Sequence, residues 1–319
     1  MSASKTIGIA GLGLLGRGIA ACFLSRGLRV VGYDNSENAR AVARLEIERA
    51  IDELVTRGGE PESLRTEWPK NYVEAKSFAD FAQCDFVLES VIENEATKRQ
   101  VFEQIEAVVR PAIPIATNTS ALPITLLASK LKHPERFIGM HWCPPCHITR
   151  FMEIIRGEKT NDATADVTMQ LARIAGKDPA LVEKDVAGFI VNRMHYAIYR
   201  EAIYLLESGV GDVATIDRAF QHVIGLYATI AGPFRWMDLT GLPAYAAVME
   251  RLFPKLANTT EVPETMKKLM ADGAKGATSG HGFYDYTPEE AKRWQALLEE
   301  NVWRVRETLN DLFPEKRDD

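Results

Sequence analysis

The chain reads as two architectures in series, an α/β domain on a parallel sheet followed by an all-helical domain. Over residues 5–140 short apolar runs alternate with amphipathic stretches, the pattern of β-α units. After Gly188 that β signal stops and long helical periods replace it. The composition can build both: of 319 residues 46% are apolar, 26% charged and 8% aromatic, as in a globular protein with one or two cores.

In chain order, the expected strands are TIGIAG (6–11), LRVVGYD (28–34), CDFVLESV (84–91), AIPIATN (112–118) and RFIGM (136–140). Residues 40–80 interrupt the alternation. There Val42, Leu45, Ile47, Ile51 and Leu54 recur at helical spacing before a Gly-Gly-Glu-Pro break, so a long helix and a polar turn are expected between sheet strands. FMEII (151–155) and PALVEK (179–184) add two strands around a helix at about 162–175, which makes residues 1–187 the first domain and 188–319 the second. In the second, NRMHYAIYREAIYLLESG, DVATIDRAFQHVIG and LPAYAAVMERLF each carry a helical period. Thr287-Pro288-Glu289-Glu290 supplies an N-cap, a proline at the first helical position and a glutamate able to reach back, so a last helix runs to about Leu312. The final EKRDD is expected to fray.

Charge and length exclude several classes. A net charge of -6 with no Lys/Arg run gives no field for nucleic acid or anionic lipid. No apolar stretch reaches about 18 residues, and the N-terminus lacks a signal-peptide pattern. A cytoplasmic protein off the membrane is therefore expected. Four cysteines, at 22, 84, 143 and 146, do not make a disulfide framework in such a chain.

Gly11-Leu12-Gly13-Leu14-Leu15-Gly16 follows the first strand and opens a helix containing Ile19, Ala20 and Phe23. The first glycine permits the turn, the second lets backbone approach a pyrophosphate, and the third lets helix and strand pack; the helix N-terminus then offers N–H donors to the anion. Asp34 ends the next strand, near where a carboxylate should meet the adenosine ribose hydroxyls. A Rossmann-type site follows, and without an Arg directly after Asp34 to hold a 2′-phosphate, NAD is expected rather than NADP.

Further along stand Glu89-Ser-Val-Ile-Glu93-Asn94, Ala116-Thr-Asn118-Thr119-Ser120, Gly139-Met-His141, Phe151-Met-Glu153 and Gly188-Phe-Ile-Val-Asn192-Arg193. Gly232-Pro233-Phe234 with Asp238 and Gly241-Leu242, and Gly280-His-Gly282-Phe283-Tyr284, come later. In this order and at these distances, the sequence from about residue 6 to 286 resembles the 3-hydroxyacyl-CoA dehydrogenase family.

The resemblance implies a Rossmann domain, a helical domain that pairs subunits into a homodimer, and hydride transfer between NAD and a hydroxyl-bearing carbon. Oxidising a secondary alcohol needs a base for the hydroxyl proton, and histidine suits that reversible role. His141 is the candidate base. The resemblance makes Glu153 the carboxylate that orients it, as the aspartate of a hydrolase triad does. Ser120 and Asn192 are candidate donors to the substrate oxygen. Similarity also places Glu93, Lys98, Asn118 and Ser120 around the nicotinamide ribose. Asn192 can equally cap the helix that it begins.

Cys143-Pro144-Pro145-Cys146-His147 matches C-x-x-C-H, the haem-attachment pattern. Haem attachment needs export, which the N-terminus does not signal. A zinc site from His141, Cys143, Cys146 and His147 would consume the base, so no metal is expected, while a dithiol switch between the cysteines stays open. The favoured reading is a loop shaping the substrate pocket. Here the chain departs from the family, which has Asn-Pro after the histidine where this sequence has Pro144-Pro145. A second departure, Tyr227-Ala-Thr-Ile-Ala-Gly232-Pro233 in place of Pro-Met-Gly-Pro, is about two residues longer.

Both departures are similar to the family's non-CoA members, which oxidise small free acids of the gulonate, carnitine or pyridine carboxylate type. Arg150, His147 or Arg235 would then meet a substrate carboxylate. The expected substrate is thus a small hydroxy acid or pyridine carboxylate. An (S)-3-hydroxyacyl-CoA dehydrogenase is the alternative, and a non-catalytic NAD-binding structural or redox-sensing protein is a third.

Overall fold

The computed structural model describes residues 5–313. It divides into two compact units after Arg193.

The first unit is one eight-stranded sheet between helices. Its strands are β1 (Thr6–Ala10), β2 (Arg29–Tyr33), β3 (Tyr72–Glu74), β4 (Phe86–Glu89), β5 (Ile115–Thr117), β6 (Phe137–His141), β7 (Phe151–Arg156) and β8 (Asp178–Val182). They lie in the order β3-β2-β1-β4-β5-β6-β7-β8. All neighbours are parallel except β6 and β7, which run antiparallel.

The reversal of chain order around β1 makes the crevice at the carboxyl ends of β1 and β4 the ligand site of an open α/β sheet. The central strands are buried on both faces, which is why they read as continuous apolar runs rather than alternating ones.

The helices of this unit are α1 (Leu14–Ser25), α2 (Glu37–Thr56), α3 (Leu64–Asn71), α4 (Glu95–Val108), α5 (Ile124–Ala128) and α6 (Asp162–Ile174). Short polar side chains start three of them: Ser36, Asn94 and Asn161 each accept from a backbone N–H of the first turn. The stretch expected to hold a long helix and a turn also contains α3 and β3. Pro69 sits inside α3, and the three-residue edge strand that follows is too short to show an alternation.

The second unit carries most of α7 (Val191–Glu207), then α8 (Val213–Ala219), α9 (Gly225–Ala228), α10 (Pro233–Thr240), α11 (Leu242–Leu252), α12 (Glu264–Ala271) and α13 (Pro288–Leu312). A π-helical stretch, Phe220–Ile224, joins α8 to α9. The capping box expected at Thr287 is formed: its hydroxyl accepts from Glu290 N–H while the Glu290 carboxylate accepts from Thr287 N–H. The EKRDD tail lies outside the described residues.

Candidate active site

Each glycine of the first turn has a distinct reason to be glycine. Gly11 adopts φ +98, and a Cβ there would lie 2.5 Å from Ser90 O. A Cβ on Gly16 would lie 1.9 Å from Gly11 O, so the turn closes only without one. Gly13 faces open space, with no atom within 4 Å of its would-be Cβ. A dinucleotide pyrophosphate fits that gap, at the N-terminus of α1. Leu14 beside it is exposed and Leu15 half-buried.

Asp34 binds this loop to the end of β2, its two carboxylate oxygens accepting from Leu12 N–H and Ser36 N–H at 2.9 Å each. Arg40, six residues on, donates to Asp34 O at 2.6 Å and is paired with Glu74 at 3.0 Å. That guanidinium is already matched by an acid, in keeping with NAD.

Behind the carboxyl end of β4 lies a buried polar network. The Lys98 ammonium, 1% exposed, donates to Glu89 Oε1 (2.8 Å) and Val91 O (3.3 Å) and pairs with Glu93 Oε2 (3.3 Å). Those three acceptors saturate its three protons. Lys98 therefore stands behind Glu93 rather than in the crevice. Glu93 Oε1 accepts from Thr119 Oγ1 (2.6 Å), Ser120 N–H (2.8 Å) and Ala121 N–H (3.0 Å). Burial pushes the Glu93 carboxyl up, but these bonds and Lys98 outweigh it and hold it below the ordinary carboxylate range.

Glu89, quoted in a motif but given no role from the sequence, is fully buried and joins Lys98 to Thr117 Oγ1 (2.6 Å) and Val91 N–H (2.6 Å). Burial pushes its carboxyl up, against the opposing pull of Lys98. An acid inside the apolar run CDFVLESV was the available signal.

His141 ends β6 opposite Glu153 of β7, in a register that puts both side chains on one face. His141 Nδ1 lies 2.7 Å from Glu153 Oε2. An ionised carboxylate only accepts, so Nδ1 carries a proton, and in the neutral ring Nε2 is the nitrogen with the lone pair. Glu153 Oε1 accepts from Ile190 N–H (2.6 Å) and Val191 N–H (3.2 Å) at the start of α7. Burial raises the Glu153 carboxyl, while the His141 bond and these two amides pull harder and leave it lowered.

The turn that delivers the amides is strained. Gly188 has φ +78, and Phe189 adopts φ +49, a left-handed conformation unusual for an aromatic residue. The buried Phe189 ring lies 5.7 Å from the His141 ring. One residue past Val191, Asn192 Nδ2 donates to Ser120 O at 2.7 Å. On the other side, Asn118 Oδ1 accepts from Trp142 N–H (2.8 Å) and its amide donates to Ser90 Oγ (3.1 Å). The first unit alone thus gathers His141, Glu153, Ser120, Asn192, Asn118 and Glu93 at the carboxyl ends of β4, β5 and β6.

The loop after His141 divides. Cys146 is buried against α1: its thiol reaches toward Leu15 O (3.7 Å), and its carbonyl accepts from Cys22 Sγ (3.3 Å). His147 Nε2 lies 2.9 Å from Glu53 Oε2 on α2. Cys143, half-buried, is left on the side of Glu153, whose charge, after burial, raises its thiol pKa. Burial raises Cys146 as well. Both thiols are thus held above the ordinary thiol range, away from the lowered pKa by which a C-x-x-C pair becomes reactive.

Known proteins bear on these residues. Residues 6–186 match the 3-hydroxyacyl-CoA dehydrogenase NAD binding domain and residues 188–286 the C-terminal domain of the same family. A 5-formyl-3-hydroxy-2-methylpyridine 4-carboxylate 5-dehydrogenase of Mesorhizobium japonicum is 36% identical over 96% of this chain and 98% of its own length. A 3-hydroxybutyryl-CoA dehydrogenase of Bradyrhizobium diazoefficiens is 34% identical over 88% of this chain and 95% of its own. Among solved structures, an enzyme of the first kind, described as an NAD+ dependent dismutase, superposes with a TM-score of 0.90 at 33% identity, covering 98% of this chain and 100% of that one. The (S)-3-hydroxybutyryl-CoA dehydrogenase PaaH1 of Ralstonia eutropha gives 0.74 at 31% identity, covering 89% and 100%.

Proposed function

Since this chain belongs to the 3-hydroxyacyl-CoA dehydrogenase family of NAD-dependent enzymes acting on CH–OH groups, we propose that it oxidises the hydroxyl, or reduces the carbonyl, of a small carboxylate-bearing molecule such as a 3-hydroxy acid or a pyridine carboxylate. The 2.7 Å contact between His141 and Glu153 carries the reaction type. NAD, when bound, accepts or returns the hydride. His141 Nε2 takes the hydroxyl proton, and Glu153 fixes the ring and offsets the imidazolium charge. Ser120 and Asn192 present donors to the oxygen as it becomes a carbonyl. Glu93 and Asn118 shape the ribose side, and Lys98 supports Glu93 from behind.

For the substrate class, the engagement of four arginines in the 40–80 segment is the supporting observation, Lys70 and Lys76 being exposed cations of the same segment outside any ion pair among the described residues. A CoA tail calls for cations available to phosphate. Here Arg40 is matched by Glu74, Arg49 by Glu53, and Arg65 by Asp52 and Glu62, while Arg44 lies over the Trp68 ring. The pyridine carboxylate relative, with its higher TM-score, points the same way. An acyl-CoA substrate remains the second reading, favoured by the 3-hydroxybutyryl-CoA enzymes at similar identity.

The assay is NADH formation on a panel of free hydroxy acids, pyridine carbinols and pyridine aldehydes beside NADH consumption with acetoacetyl-CoA, at equal enzyme. Turnover of a free acid or pyridine compound with silence on acetoacetyl-CoA is expected; the reverse overturns the substrate class.

A homodimer through the helical unit belongs to the same proposal. Among its described residues only Ala231, Ala274 and Trp303 are buried, whereas Tyr196, Leu226, Phe234 and Leu239 are each more than two-thirds exposed. Apolar side chains at that density call for a cover.

A further inference from the structure

We propose that Lys177 is a positioning residue for the substrate-side loop: its buried ammonium holds residues 142–149 in one shape, and that shape sets the affinity for the oxidisable substrate.

Lys177 precedes β8 and is 7% exposed. Among the described residues no carboxylate lies within ion-pair distance of it. Its Nζ instead donates to the carbonyls of Cys146 and of Thr149, the latter at 2.7 Å. It also sits 5.0 Å from the centroid of the Trp142 ring. Two carbonyls and one aromatic face take up the three protons of the ammonium. All three acceptors belong to the single excursion between His141 and β7. A buried charge with no counter-charge is retained only where its partners are many and well placed. Here they are the two ends of one loop.

What Lys177 fixes is then fixed to the cofactor helix. Trp142 packs edge-on against Phe23 of α1, with ring centroids 5.6 Å apart. A Cβ on Gly18 of α1 would touch Cys146 Cβ at 3.0 Å, so loop and helix meet at closest approach. With Trp142 and Cys146 turned into α1 and His147 onto α2, the segment left for substrate is Cys143-Pro144-Pro145. Its position is dictated by anchors on either side, both of which end on Lys177. Removing the ammonium leaves the Cys146 carbonyl with the Cys22 thiol alone, takes its donor from the Thr149 carbonyl, and lets the segment swing.

The kinetic half of this proposal rests on the small-acid dehydrogenase reading; the structural half does not. The experiment compares wild type with Lys177→Met, which keeps the apolar stem and removes the charge. Native alkylation with a maleimide, mapped by peptide mass, is expected to label Cys146 at least ~10-fold faster in the variant while buried Cys84 stays unreactive. The KM for the best substrate of the panel is expected to rise ~10-fold, with kcat and the KM for NAD within about twofold. Cys146 as protected as in wild type, Cys84 and Cys146 opening together, or an opened Cys146 with unchanged substrate KM would each overturn the proposal. If wild type turns over no free acid, the small-acid reading fails on its own, and the kinetic comparison is made with acetoacetyl-CoA. Should K177M not fold, Trp142→Phe, which shrinks only the ring facing the ammonium, is expected to raise Cys146 labelling ~2-fold or more, and no rise overturns the proposal.

Discussion

At His141 two features of different origin meet: the sheet register brings Glu153 to Nδ1, and a strained turn brings two amides to the other oxygen of Glu153. His141→Gln should lower kcat by about 10³-fold with little change in the KM for NAD, since only the proton transfer is removed. Glu153→Gln can present either face of an amide to the ring and should cost up to about 10⁴-fold in kcat. It should also change the acid stability curve. The Glu153 carboxyl is lowered in the folded protein, so its stabilisation is complete above the unfolded value of about 4.3 and is lost as pH falls through the folded value beneath it. Urea midpoints measured from pH 6 to pH 3 should fall less steeply for E153Q than for wild type. At the residue scale, His141, Glu153, Ser120 and Asn192 could be named as candidates because their motifs lie in order along the sequence, and the contacts His141–Glu153 and Asn192–Ser120 join them in pairs. Glu89 and Lys177 could not be so named. Each is a charged residue whose burial depends on partners brought in by other strands or loops, and sequence spacing carries no trace of such partners.

Within the first βα unit, two glycines of one turn should behave oppositely. Gly16→Ala puts a methyl group 1.9 Å from Gly11 O and should lower stability by about 2 kcal/mol or more, seen as a fall in Tm of the NAD-free protein. Gly13→Ala meets nothing within 4 Å and should leave that Tm within about a degree, while the KM for NAD rises ~10-fold or more as the methyl group occupies the pyrophosphate gap. Equal losses of Tm in both variants would contradict this division. The same turn shows why elements differ in legibility. Strand β1, the glycine turn and α1 are contiguous and obey a period, and the capping box of α13 is spelled out in four letters. By contrast β3 is three residues long and follows a proline-containing helix, and its strand character comes from pairing with β2 across some forty intervening residues.

For the molecule as a whole, the division into a sheet unit and a helical unit was readable from the change of period near Gly188, and the contact boundary falls after Arg193, just inside α7. The exposed apolar side chains of the second unit predict a particle of twice the 35.5 kDa chain mass in sedimentation or mass photometry; a species of chain mass at micromolar concentration would contradict the homodimer. The antiparallel pairing of β6 with β7 has a consequence of another kind. Because His141 and Glu153 face each other through the ladder itself, the segment between them is not needed to bring them together. Residues 142–150 can be exchanged for a different length or chemistry without moving the His141–Glu153 pair, provided the replacement brings its own attachment to α1. In evolutionary terms the strand pair is a fixed chassis and the loop an interchangeable cassette. Relatives that act on pyridine carboxylates and on acyl-CoA esters are what such an arrangement would yield.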